Sequence, residues 1–171
     1  MAGVTKPLHE EHQTLLPRVE ALRTTADSVD VADREVLRVA VNEAYEFLTG
    51  SLMPHAAAEE QVLYPEVQRV MGAPEATATM SRDHVEIDRL RQELGALRSA
   101  GAGDELTPTQ TNELRRVLYG LYELLRVHFA KEEEVYLPLL DERLSQDDAN
   151  VLFEQMERAA GKARGHSRHD Q

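Results

Sequence analysis

Apolar residues recur along this chain at intervals of three and four, not two, which is the period of a helix face rather than of a strand. Leu8, Leu15, Leu16, Val19 and Leu22 make a first stripe. Val36, Val39, Ala40, Leu48 and Leu52 make a second, continued by Val62 and Leu63. Met80, Ile87, Leu90, Leu94 and Leu97 make a third. Leu114, Leu118, Leu121 and Leu125 make a fourth, continued by Val135 and Leu139. Each stripe predicts an amphipathic helix with one face toward a common core.

The breaks agree with the stripes. Residues 30–33 separate the first two helices, and Gly72-Ala73-Pro74 separates the second from the third. Gly101-Ala102-Gly103-Asp104 reads as a flexible turn. Thr107-Pro108 opens the fourth helix, with Thr107 as N-cap, Pro108 at the first helical position and Gln110 closing a capping box. Ser145 to Asp148 reads as the cap of a fifth, short helix running to about Ala160. Short connections make consecutive helices antiparallel neighbours. The expected architecture is therefore all-α: an up-down-up-down four-helix bundle over residues 1–160, with a short C-terminal fifth helix laid across it. Residues 161–171, small and polar, are expected to form a disordered tail. Pro54 interrupts the second helix, where a proline costs about 3 kcal/mol. Sitting next to His55, it reads equally as a simple kink or as a device that re-aims the side chains after it.

Composition narrows the function. The 171-residue chain has no cysteine, which excludes disulfides, thiolate metal sites and a cysteine nucleophile. Its formal charge of −12 argues against nucleic acid as a partner. The N-terminal residues are polar, unlike a secretory leader, and no run is long and apolar enough to span a membrane. A soluble cytoplasmic protein is the expectation.

The chemistry lies in a repeated spacing. His55-Ala-Ala-Ala-Glu59 sits on the second helix and His128-Phe-Ala-Lys-Glu132 on the fourth, and four residues along a helix return to one face. The first helix carries Glu11-His12 and the third Asp83-His84. His12 precedes His55 by 43 residues and His84 precedes His128 by 44, so the chain reads as two hairpins of one pattern. Each hairpin supplies one His and one His-x-x-x-Glu. A lone histidine is usually a surface or satisfied core residue. Four at matching offsets, with two glutamates, point to a two-metal carboxylate site in a bundle core. Imidazole and carboxylate without thiolate suit iron, manganese or zinc, and six ligands are too many for one four-coordinate zinc. Two metals bridged by Glu59 and Glu132, each with two histidines, use every ligand. Iron is preferred, because open positions at such a site suit O2 and peroxide chemistry.

Neighbouring residues are weighed against this pattern. His9 roughly shares the His12 face and reads chiefly as an exposed helix-start histidine, with an outer partner or an alternate ligand as the lesser reading. Asp88 reads equally as an acceptor for a ligand imidazole or as part of a solvated face. Glu60, Glu133 and Glu134 are expected on the exterior, while Glu11 or Asp83 could orient a histidine. Of Tyr45, Tyr64, Tyr119, Tyr122 and Tyr136, one phenol could reach a metal, and the spacing does not choose it. His166 and His169 fall in the expected tail and are set aside.

At Glu11-His12, residues 53–65 (MPHAAAEEQVLYP), 82–90 (RDHVEIDRL) and 127–140 (VHFAKEEEVYLPLL), the chain resembles the hemerythrin family, specifically bacterial hemerythrin-like proteins with the HHE cation-binding domain. The resemblance covers about residues 5–160. It implies a bundle around a non-haem di-iron centre, the two iron ions oxo- or hydroxo-bridged. His12, His55, His84 and His128 would then be terminal ligands, and Glu59 and Glu132 would bridge. The oxygen-carrying members have a fifth histidine four residues after the third-helix one, where this chain has Asp88. Their last ligand is an aspartate five residues after its histidine, where Glu132 here follows at four. These departures shift the expectation from O2 storage toward reaction with peroxide or nitric oxide, including catalase-like peroxide decomposition. A non-catalytic O2 carrier or an iron or redox sensor is the alternative.

Overall fold

The computed structural model describes residues 3–102 and 105–167. Among these, all regular structure is helical. Helix α1 is Lys6–Ser28. Helix α2 is a single rod over residues 34–71, built from Arg34–Phe47, Met53–Ala58 and Tyr64–Met71 with wider turns at Leu48–Leu52 and Glu59–Leu63. Helix α3 is Ala78–Ala100. Helix α4 covers 108–143, with a wider turn at Glu132–Tyr136 between Pro108–Lys131 and Leu137–Arg143. Helix α5 is Gln146–Ser167. The caps fall where the residues direct them. Gly72 ends α2 in the left-handed conformation (φ 65°) that glycine adopts without strain. Thr107 and Gln110 close the reciprocal capping box of α4. Ser145 Oγ accepts the Asp148 N–H at the start of α5.

The bundle closes as a ring, with α1 against α2 and α4, and α3 against α2 and α4. Helix α5 lies across the middle of α2. It runs to Ser167, past the Gly161 at which the sequence suggests a stop and into the span expected to be disordered. Residues 168–171 of that expected tail, including His169, lie outside the described residues. Among the described residues, no helix is long and apolar enough to cross a membrane.

The three wider turns are π turns, closed by bonds from residue i to i−5: Met53 to Leu48, Tyr64 to Glu59, and Leu137 to Glu132. In each case the next residue is proline: Pro54, Pro65 and Pro138. A proline lacks the N–H that would bond four residues back, and its ring crowds that carbonyl. Widening the preceding turn relieves both problems and leaves the helix continuous. Each π turn also adds one residue and rotates the following face. This corrects the expected stripes. After the turn in α4 the buried residues are Tyr136, Leu137 and Leu140, while Val135 is exposed and Leu139 only partly covered. Ahead of any π turn the expected face is also corrected: at the start of α2 the inward residues are Leu37, Val41, Ala44 and Phe47, and Val36 and Val39 point to solvent, as does Leu16 on α1. The remaining stripes pack as expected. They form two apolar clusters, one around Leu22, Leu48, Leu118 and Leu121, the other around Leu63, Val67, Met80 and Leu140.

Candidate metal centre

Between the two apolar clusters lie six buried polar residues, one or two from each bundle helix. They are His12 from α1, His55 and Glu59 from α2, His84 from α3, and His128 and Glu132 from α4. Both glutamates are 0% exposed and the most exposed histidine, His84, is 7%. Burying charge this deeply is costly unless something compensates it. Glu59 and Glu132 each open a π turn, so these defects in α2 and α4 begin at the carboxylates.

The histidines are oriented from behind. Carboxylates only accept hydrogen bonds, so the Nδ1–H of His12 donates to Glu133 (2.7 Å), that of His84 to Glu60 (2.7 Å) and that of His128 to Asp83 (3.1 Å). His55 Nδ1 lies 3.2 Å from Glu11. Each acceptor adjoins one of the six residues in sequence, on a different helix from the histidine it holds. The arrangement is pseudo-twofold: Glu11, His12, His55, Glu59 and Glu60 correspond to Asp83, His84, His128, Glu132 and Glu133. With Nδ1 protonated, every Nε2 presents a lone pair to the centre.

The two carboxylates divide their oxygens between two histidine pairs. Glu59 Oε1 is 2.9 Å from His55 Nε2 and 3.9 Å from His12 Nε2, while its Oε2 is 3.3 Å from His84 Nε2 and 4.0 Å from His128 Nε2. Glu132 Oε2 is 3.4 Å from His12 Nε2, and Oε1 is 3.5 Å from His128 Nε2. Ligand atoms of His12, His55, Glu59 and Glu132 fall within 4.8 Å of one another, as do those of Glu59, His84 and His128. Yet His12 Nε2, His55 Nε2, both Glu59 oxygens and Glu132 Oε2 have no hydrogen-bond partner in suitable geometry. Buried polar atoms are almost always satisfied. Five orphans aimed into one volume, all of them metal-ligand types, fit cations held between them.

The electrostatics agree. Burial opposes the charge on Glu59, but the charge of His55, with the His12 and His128 imidazoles close by, outweighs it and holds the carboxyl well below its ordinary value. Burial and the like charge of Glu59 push Glu132 up to about 8. One carboxylate is thus ionised and its neighbour protonated when no cation is bound. For His55, burial is outweighed by the Glu59 charge and the Glu11 bond, and the pKa is raised. His84 is likewise raised, by Glu59 and then Glu60 against burial.

Tyr64 is the phenol that the spacing left unchosen. It is 1% exposed, its hydroxyl donates to Glu132 Oε1 at 2.9 Å, and it lies 3.5 Å from both His84 Nε2 and His128 Nε2. Burial, and then the charge of Glu59, raise its pKa. The π turn and Pro65 set its direction, and at the pseudo-equivalent position stands Leu137, so the phenol serves one half alone. Phe129 covers the other flank, its ring centroid 4.7 Å from that of His12 and 5.9 Å from that of His55.

Other residues are placed more simply. Glu60 and Glu133, expected outside, stand at the rim but turn one oxygen inward to a histidine. Glu134 is exposed. Asp88 faces away from the centre and pairs with Arg91 and Gln92. His9 bonds Glu133 from outside (2.6 Å) and does not reach the centre. Tyr45 lies beside Arg91 and Arg98, Tyr119 bonds Asp27, Tyr122 packs by Arg126, and Tyr136 donates to the Ala76 carbonyl. The side chain of His166 lies outside the described residues.

A family model described as the hemerythrin HHE cation binding domain matches residues 4–140. No curated protein and no solved structure matches the chain.

Proposed function

The chain belongs to the hemerythrin HHE cation-binding family, and we propose that it is a non-haem di-iron protein that reacts with oxygen species, with catalase-like decomposition of peroxide as the leading activity. The single observation behind this reading is the set of five orphaned ligand atoms facing one buried volume. His12 and His55 would hold one iron, His84 and His128 the other, and Glu59 and Glu132 would span the two. Manganese or zinc would fit the same donors, but zinc has no redox chemistry to offer. Two adjacent iron ions supply reversible electron transfer and open positions for a small ligand.

The chain's own groups contribute protons and exclusion. Breaking the O–O bond of peroxide requires protons, and Tyr64 holds one against Glu132 beside the His84–His128 pair. The outer carboxylates fix each imidazole so that no rearrangement is needed when charge changes at the centre. Asp88, at the position of the oxygen carriers' fifth histidine, is turned to Arg91, which supports chemistry with more open positions than O2 storage needs.

A carrier or sensor is the second reading, favoured by the apolar wall of Leu52, Ile87, Leu125 and Phe129 beside the centre, which tolerates a neutral ligand such as O2 or nitric oxide better than a charged one. The test is metal analysis followed by titration of the iron-loaded protein. Peroxide-dependent O2 release, two peroxides giving one O2 and two waters, is the expected result. Reversible O2 binding without turnover would replace the enzyme reading with the carrier. Absence of bound metal would overturn both.

A further inference from the structure

The cavity beside the centre lies between α2, α3 and α4 and measures about 10 Å³, close to the smallest space that holds one water. Its polar lining is His55, Glu59, His84 and His128, and the rest is apolar. Every lining residue is buried except Met53, which is half-buried between the cavity and solvent. The opposite side of the centre is filled by Tyr64 bonded to Glu132.

We propose that the Met53 side chain is the gate through which small uncharged ligands of one or two heavy atoms pass from solvent, between α2 and α3, to the metal centre. This rests on the di-iron reading above. Methionine is unbranched and turns about three bonds, so it can clear a passage without moving its neighbours. Its backbone is pinned: the Met53 N–H closes the π turn on Leu48, and Pro54 follows. Movement there falls to the side chain, which packs at the edge of the first apolar cluster and is partly exposed. The alternative approaches, along the outer edges of the imidazoles, are guarded by Glu11, Glu60, Asp83 and Glu133. Those carboxylates favour cations and repel anions, whereas the thioether is neutral and selects by size and polarity.

The experiment measures the rate of nitric oxide association with the reduced, iron-loaded protein by stopped flow, in the native chain, Met53→Ala and Met53→Trp. Opening the gate is expected to raise the rate about tenfold and blocking it to lower the rate about tenfold, with metal content and absorption spectrum unchanged. Rates within twofold of the native chain in both variants would overturn the proposal. Should the chain take up no metal, the di-iron reading fails by itself, and the gate is then tested on the metal-free protein with water as the small ligand, through exchange of the imidazole C2–H in D2O. Faster deuterium uptake at His55 and His84 in Met53→Ala, read by mass spectrometry, supports the gate, and equal rates refute it.

Discussion

The Nε2 atoms of His84 and His128, 44 residues apart in sequence, face each other at 3.1 Å. Both rings already donate Nδ1–H to carboxylates, so the two facing nitrogens offer lone pairs to the same space. Only a proton or a metal ion relieves that arrangement. Replacing His55 and His128 together with alanine removes one donor from each pair and is expected to abolish stable metal binding. Metal analysis of the purified variant is the check, and unchanged metal content would sink the ligand assignment.

Asp83 is held between His128 and Lys131. In Asp83→Asn the acceptor's charge is lost, and the ring loses the partner that keeps its lone pair inward. Metal affinity is expected to fall about 10- to 100-fold, the usual effect of such partners, while the helical circular dichroism stays unchanged. A competition titration with a chelator reads it, and native affinity would mean that Asp83 plays no orienting part.

Tyr64→Phe removes the hydrogen bond to Glu132. The metal-free protein is expected to lose about 1–2 kcal/mol of stability, since a buried acceptor loses its donor. If the phenol also contacts a metal, the iron-loaded variant loses a visible absorption band. A variant as stable as the native chain, with the same spectrum, would show that Tyr64 only fills space.

Proton uptake sets the pH response of the metal-free protein. Glu132 is raised from 4.5 to about 8, and His55 and His84 are raised above 6.5. Between about pH 6.5 and 8 the folded chain therefore holds protons that the unfolded chain has released. Folding takes up protons in that window, and stability falls as pH rises. The lowered pKa of Glu59 acts only below 4.5, where its contribution is lost on acidification. Metal displaces the same protons, so loading at neutral pH is expected to acidify an unbuffered solution and to tighten as pH rises. A melting temperature of the metal-free protein that climbs from pH 6.5 to 8 would contradict this account.

Much of the fold was legible because helix faces follow local periodicity, and the convergence of six residues was legible because His-x-x-x-Glu repeats at matched offsets. Glu60 and Glu133 were not. Each follows a buried glutamate, and one residue of helix rotation points it outward, while the histidine that uses it sits on another helix. Tyr64, Val135 and Leu139 were misjudged or undecided for a different reason. A 3.6-residue period does not anticipate an inserted residue, although the prolines at 54, 65 and 138 marked where each insertion falls. Asp88 needed the partner Arg91 on its own helix to show which way it turns.

The two halves of the centre are near copies, but their surroundings are not. Lys131 neutralises Asp83 behind His128. Its pseudo-equivalent is Ala58, and among the described residues no lysine or arginine pairs with Glu11 behind His55, which is partly open to water. Excess negative charge favours the more oxidised ion. A cation of lower charge would therefore be held better by His84 and His128, and one of higher charge by His12 and His55.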